Sequence, residues 1–93
     1  MGQNERAIAT FKQVIDRHSD IPEVAVSWNN LGDIYLSLNR EDEAIAAFET
    51  AIKLDPDYAW PYNRLGAIYE RRGHQDQAYA LYQQATRRHR QRN

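Results

Sequence analysis

The chain contains no cysteine. That excludes disulfides, a thiolate nucleophile and any zinc site built on sulfur, and it leaves the redox compartment open. Long apolar runs are missing too: the longest are a few residues, against the ~20 that a bilayer-spanning helix needs. The opening Met1-Gly2-Gln3-Asn4-Glu5-Arg6 has none of the apolar core of a signal peptide. Signatures of catalysis and nucleotide binding are absent: there is no G-x-S-x-G elbow, P-loop, G-x-G-x-x-G turn or H-E-x-x-H pair. The histidines His18, His74 and His89 are never three or four residues apart, so a helical metal-ligand spacing does not arise. The expectation is a soluble chain, cytoplasmic before any other location, with no catalytic residue, no metal, no cofactor and no small-molecule substrate.

What remains is ordinary globular material. Of 93 residues, 42% are apolar and 27% charged, enough for one small domain and no more. The net charge of −1 hides a polarity. Residues 1–58 hold five Lys/Arg and eleven Asp/Glu, whereas residues 59–93 hold seven Arg and two acids. Arg87, Arg88, Arg90 and Arg92 close the chain, where cations suit the negative end of a helix dipole. Glu41, Asp42 and Glu43 suit the positive end of another.

The dominant pattern is a repeat. Residues 25–58 laid over residues 59–92 give ten identities without a gap, among them Asn29/Asn63, Leu31/Leu65, Gly32/Gly66, Tyr35/Tyr69, Ala44/Ala78 and Ala51/Ala85. Trp28/Tyr62 and Phe48/Tyr82 are near-identities on the same offset. Ala7, Ile8, Ala9, Phe11 and Ile15 match Ala44, Ile45, Ala46, Phe48 and Ile52, which makes the start half of a further copy. Residues 1–93 thus divide into a half-repeat at 2–20 and repeats at 25–58 and 59–92. Self-similarity at this period marks stacked units that cannot bury their apolar faces alone.

Apolar spacing predicts five helices, near 3–18, 22–38, 41–54, 58–72 and 75–90. Asn39 and Gly73 offer left-handed stops. Pro56 ends the third helix, Asp55 and Asp57 read as caps, and Pro61 is tolerated in a first turn. Gly32 and Gly66 sit in helix interiors, where glycine costs roughly 1 kcal/mol against alanine. Their recurrence predicts a close helix approach, faced by Ala44 and Ala78 and ringed by the large aromatics. In the first helix Phe11 is expected to pack inward, with Ile8 and Val14 turned toward the side where a preceding helix would dock.

These residues resemble the tetratricopeptide repeat: Trp28-Asn29-Asn30-Leu31-Gly32-Asp33-Ile34-Tyr35 with Ala44, Phe48, Ala51 and Pro56, then Tyr62, Leu65, Gly66, Tyr69, Ala78, Tyr82 and Ala85. Arg90 departs from the pattern where Pro56 stands in the first copy. The resemblance implies an all-α, right-handed superhelix of antiparallel hairpins, about two and a half repeats. It also implies a concave groove, lined by the first helix of each repeat, that binds a peptide or protein segment. On that pattern the groove presents Val26, Asn29, Asn30, Asp33 and Ser37, then Trp60, Asn63, Arg64, Ala67 and Arg71. Asn29 and Asn63 are expected to grip an extended chain, since an amide both donates and accepts. One branch of the family clamps the C-terminal carboxylate of chaperones. Asn30 and Arg64 match two members of that clamp, but Trp60 replaces a lysine and Asp33 would repel a carboxylate.

The ends read differently. Thr86 and Arg88 replace Ile52 and Leu54, so the last helix looks finished. The first helix looks cut, which leaves two readings: the end of a longer repeat protein, or a face where two copies meet. A designed or trimmed chain would read the same way. The main expectation is a non-catalytic protein–protein interaction module. The rivals are a self-associating unit joined through the first helix and, behind it, nucleic-acid binding through the C-terminal arginines, whose footprint is weak without interleaved aromatics.

Overall fold

In a computed structural model, which describes residues 2–17 and 22–92, the chain forms five helices and, among those residues, no strand. They are α1 (Gln3–Arg17), α2 (Val24–Ser37), α3 (Glu41–Leu54), α4 (Trp60–Arg71) and α5 (Gln75–Arg92). Each packs chiefly on its sequence neighbours, as a one-dimensional stack requires. Short turns join α2 to α3 and α4 to α5, so each pair runs antiparallel. Leu31, Tyr35, Ala44, Phe48, Leu65 and Ile68 belong to one continuous core that begins at Ile8 and Ile15.

The two hairpin turns share one geometry. Asn39 has φ 59° and Gly73 has φ 83°, both left-handed as expected. The Asn39 N–H donates to Leu36 O and the Arg40 N–H to Tyr35 O, at 3.0 and 2.8 Å. Gly73 donates to Glu70 O and His74 to Tyr69 O, at 3.0 and 2.9 Å. These are Schellman closures, satisfying carbonyls that the helix end would leave bare. Each is backed by a side-chain contact across the turn. The Arg40 guanidinium lies 4.9 Å over the Tyr35 ring, and His74 meets Tyr69 edge-on with ring centroids 6.2 Å apart.

The α3–α4 connection departs from expectation. Helix α4 starts at Trp60, two residues later than its pattern suggested, and its N-cap is Ala59, with no side-chain cap. Asp57 does not cap it. Instead the Asp57 N–H donates to Asp55 Oδ1 at 3.2 Å and the Tyr58 N–H donates to Asp55 O at 3.1 Å. Such an Asx turn uses the short carboxylate locally and delays the helix. Pro61 falls in the first turn, where its missing N–H costs nothing.

Helix α1 corrects its reading in part: Phe11 packs against the core as expected, but Ile8 does so too. Ile8 and Ile15 are the buried residues, Phe11 is half-buried and Val14 is exposed. A seven-residue spacing puts Ile8 and Ile15 on one stripe, and that stripe meets α2, the helix on which α1 packs among the described residues. Ile8 therefore does not face the open side.

The interior glycines mark tight crossings, as expected, but the facing group is an aromatic ring. A Cβ on Gly32 would stand 2.5–2.8 Å from the Phe48 ring, and one on Gly66 would stand 2.7–3.2 Å from the Tyr82 ring. Ala44 and Ala78 are buried nearby without being the nearest groups. Phe48 is 0% exposed and cannot yield, whereas Tyr82 is half-buried and can swing. Gly32→Ala is thus expected to lower stability despite its helix-propensity gain of about 1 kcal/mol, because overpacking a fixed core costs about 1–3 kcal/mol. Gly66→Ala should lie near neutrality. Urea midpoints of the two variants check this, and equal midpoints would contradict it.

Candidate functional site

The residues expected in the groove separate into three groups. Asp33 on α2 and Arg64 on α4 meet: Arg64 Nε donates to Asp33 Oδ1 at 2.8 Å, with both side chains 38% exposed. The same guanidinium lies 5.4 Å over the ring of Trp60, which is half exposed. Asp33, Arg64 and Trp60 thus form a linked set bridging two repeats. Asn30 is half-buried in α2, and Ala67 is exposed in α4.

Arg71 is drawn elsewhere. Its Nη2 donates to Glu41 Oε2 at 2.8 Å, while Arg72 Nε donates to Glu41 Oε1 at 2.5 Å and Arg72 Nη2 to Asp42 Oδ1 at 3.3 Å. The acidic first turn of α3 therefore does more than favour its helix dipole: it ties α3 to the C-terminal turn of α4. The hydrogen bond to Glu41, set against a smaller desolvation effect, holds the Arg72 pKa above its usual value.

Asn29 and Asn63, read as a matched pair, are not equivalent. Asn29 is 4% exposed, and its Oδ1 has no hydrogen-bond partner. It does not line the open surface. Asn63 remains half-buried beside a hollow between α4 and α5 of about 320 Å³. Ala59, Trp60 and Asn63 form its α4 wall, and Tyr82, Ala85, Thr86 and His89 form its α5 wall. The α5 residues were not picked out by the groove pattern. The signal was available in the 34-residue offset, which maps Ala59, Asn63, Tyr82 and Ala85 onto Ala25, Asn29, Phe48 and Ala51, four residues that the first copy buries. Tyr82 donates to Glu70 Oε1 at 3.0 Å. Burial first, then the Glu70 carboxylate, pushes the Tyr82 phenol above its ordinary range.

The end of α5 is only partly finished. Arg88 lies 4.3 Å over the Tyr62 ring and donates to Pro56 O at 2.5 Å, next to the Tyr62 hydroxyl, which donates to the same carbonyl at 2.9 Å. Arg88 also donates to Gln84 Oε1. One of the four terminal arginines is therefore committed to packing, while Arg87 is exposed. Among the described residues no group of three or more His, Asp or Glu could hold a metal ion, and no helix is long and apolar enough to cross a membrane.

This arrangement of helical hairpins is that of a repeat protein, and comparison with known proteins agrees. Family models described as "TPR repeat" and "Tetratricopeptide repeat" match residues 32–73, and residues 62–93 and 1–20, respectively. The chain belongs to the tetratricopeptide repeat family. A crystal structure of MamA superposes with a TM-score of 0.85 at 26% identity, covering 97% of this chain and 51% of that one. Another structure of MamA protein gives 0.78 at 27% identity, covering 92% and 45%. The chain thus spans about half the length of the solved structures it resembles. No curated protein sequence matches it. Membership places the chain among protein–protein interaction modules, a family of typically non-catalytic scaffolds built as a helical repeat superhelix.

The Asp33–Arg64 pair is open to water, so it is expected to organise the surface without holding the fold together. A double-mutant cycle with Asp33→Ala and Arg64→Ala should give a coupling of about 1 kcal/mol or less in urea unfolding. A coupling several times larger would show a structural pair instead.

Proposed function

We propose that the chain is a non-catalytic interaction module, one repeat domain made of a half-repeat at 2–20 and repeats at 25–58 and 59–92. It binds a protein or peptide segment in the groove formed by α2 and α4. The observation that carries this is the Asp33–Arg64–Trp60 set. It holds a cation, an anion and a large aromatic in fixed relation across two repeats, each still reachable from solvent. Binding there costs little side-chain ordering, because the long arginine is already held. Asn30 and Ala67 extend the surface, Asn30 as an amide able to pair with a peptide backbone and Ala67 as a space for a ligand side chain. Arg71, shared with Glu41, lies at the far end of α4. Because Arg64 is already neutralised by Asp33, the set favours a ligand that stacks and hydrogen-bonds over one recognised by a free carboxylate. That reading sets the chaperone-tail clamp aside. Of the two residues expected on the open side of α1, Ile8 belongs to the buried core and Val14 is exposed.

The test is selection from a displayed library of random peptides, followed by titration of the enriched sequences. Asn30→Ala and Arg64→Ala should each weaken binding by more than about tenfold with unchanged melting, as for residues at the centre of an interface. Enriched peptides that bind both variants as they bind the parent chain would place recognition elsewhere.

A further inference from the structure

A second cleft lies away from the groove. It measures about 590 Å³, opens between α3 and α5, and has α4 as its floor. Leu65 and Tyr69 form that floor, on the side of α4 turned away from Arg64 and Arg71. Ile52 walls it on α3 and Leu81 on α5, and Tyr69 is braced edge-on by His74. Both hairpins contribute, so the cleft belongs to the joint between the two repeats. The chain carries a matching joint one unit earlier. Moved back by offsets of 37 residues for α3 and 34 for α4 and α5, Ile52, Leu65, Tyr69 and Leu81 become Ile15, Leu31, Tyr35 and Ala47. Those four are sealed, at 7%, 0%, 6% and 1% exposure. At the later joint only Leu65 is buried, while Ile52, Tyr69 and Leu81 stay half-buried.

The two joints also differ in charge. At the earlier one Glu43 of α3 is held below the usual carboxyl range by its hydrogen bond to Arg40, against a smaller desolvation effect. The charges of Arg40 and of Lys12, reaching across from α1, add to it. At the later joint the counterparts of Lys12 and Glu43 are Glu49 and Gln77, an acid opposite a neutral amide. The attraction that spans the first joint is therefore missing from the second. Glu49 and Lys53 both border the cleft and both are exposed. Neither has an ion-pair partner among the described residues. The α5 wall, with Gln77 and Ala80 beside Leu81, brings no charge. The cleft thus offers an apolar floor and, along α3 alone, one free anion and one free cation a single helical turn apart.

We propose that the α3–α5 cleft is a docking site for an amphipathic helix of a partner protein, one whose apolar face carries a basic residue to meet Glu49 and an acidic residue to meet Lys53. A helix suits the cleft because its side chains three and four positions apart share one face about 5–6 Å apart, the spacing that Glu49 and Lys53 themselves have. Two apolar side chains between those charges would fill the space over Leu65 and Tyr69. A second copy of this chain offers no such face. Among the described residues its exposed large apolar side chains are Val14, Val26, Trp60 and Tyr79, one on each of four helices. The site does not depend on the groove, which lies on the other side of α4.

The probe is a labelled synthetic helical peptide, titrated against the full chain by fluorescence anisotropy. It carries two leucines one turn apart, with a lysine at one end of the pair and a glutamate at the other, on a background of alanine and glutamine. It should bind, and replacing both leucines by alanine should weaken it about tenfold or more. Glu49→Lys should weaken it about fivefold or more, and exchanging the peptide lysine for glutamate should restore binding to that variant. Ala80 is exposed on the α5 wall, so Ala80→Trp should leave the thermal melt unchanged, fill the cleft and weaken the peptide about tenfold. No binding of the leucine peptide would overturn the proposal, as would binding that the leucine and Glu49 replacements leave unchanged. Loss on Asn30→Ala but not on Ala80→Trp would put the peptide in the groove and overturn it as well. Sedimentation showing self-association that Ala80→Trp abolishes would assign the cleft to a second copy and overturn the partner helix. Failure of the groove experiment alone leaves these outcomes unaffected.

Discussion

The hairpins are organised at two places where a helix lacks a Cβ, a fixed one at Gly32 and a more yielding one at Gly66. At Gly32 and Gly66 an aromatic ring from the paired helix occupies the space a side chain would fill. The missing atom sets the distance between the two helices of each hairpin, and that distance aligns their turns and their stacking faces. Glycine in a helix interior is disfavoured by roughly 1 kcal/mol, so its use twice at one register needs a compensating contact. The buried Phe48 ring supplies it in the first repeat, and the half-buried Tyr82 ring supplies a looser version in the second. The second repeat is looser because no further helix among the described residues presses on it.

With the hairpins fixed, the repeats are joined by charge as well as by the core. The acidic first turn of α3 and Asp33 of α2 take up Arg64 and Arg71 of α4 and Arg72 at its C-cap. Each pair is at least partly exposed and worth little alone. Together they set the register of one repeat on the next, and they place Arg64 against Trp60 on the groove side. The sequence polarity is thus resolved into a local pattern: acids on the first repeat, arginines of α4 meeting them, and more arginines beyond. Arg88 shows how the far end uses its cations for packing, by covering the Tyr62 ring and the Pro56 carbonyl.

Much of this was legible in the residues. The 34-residue period, the five helices and the left-handed stops at Asn39 and Gly73 follow from local pattern and turn chemistry, which a single sequence carries. Less legible were features decided by what lies behind a helix. Asn29 and Asn63 are identical in sequence, yet one is buried and the other borders a hollow: α4 packs on the hairpin that holds Asn29, and among the described residues no helix packs likewise on the hairpin that holds Asn63. Ile8 and Phe11 both fit an apolar stripe and both pack on the core, Ile8 buried and Phe11 half-buried. Asp57 had the chemistry of a cap, but Asp55 closed an Asx turn first and moved the helix start to Trp60. The groove pattern located Asp33, Arg64 and Trp60 without showing that they touch, since an ion pair across 31 positions leaves no local trace.

The central claim is that the glycine–aromatic crossing sets the hairpin. It is tested most directly by a double-mutant cycle on Gly32→Ala and Phe48→Leu, read as unfolding free energies. If the ring occupies the space of the absent side chain, shrinking it relieves the added methyl. The double variant should then be more stable than the two single effects predict, with a coupling of about 1 kcal/mol or more, as for residues in direct contact. Strictly additive effects would show that the two positions do not compete for space, and would contradict the account.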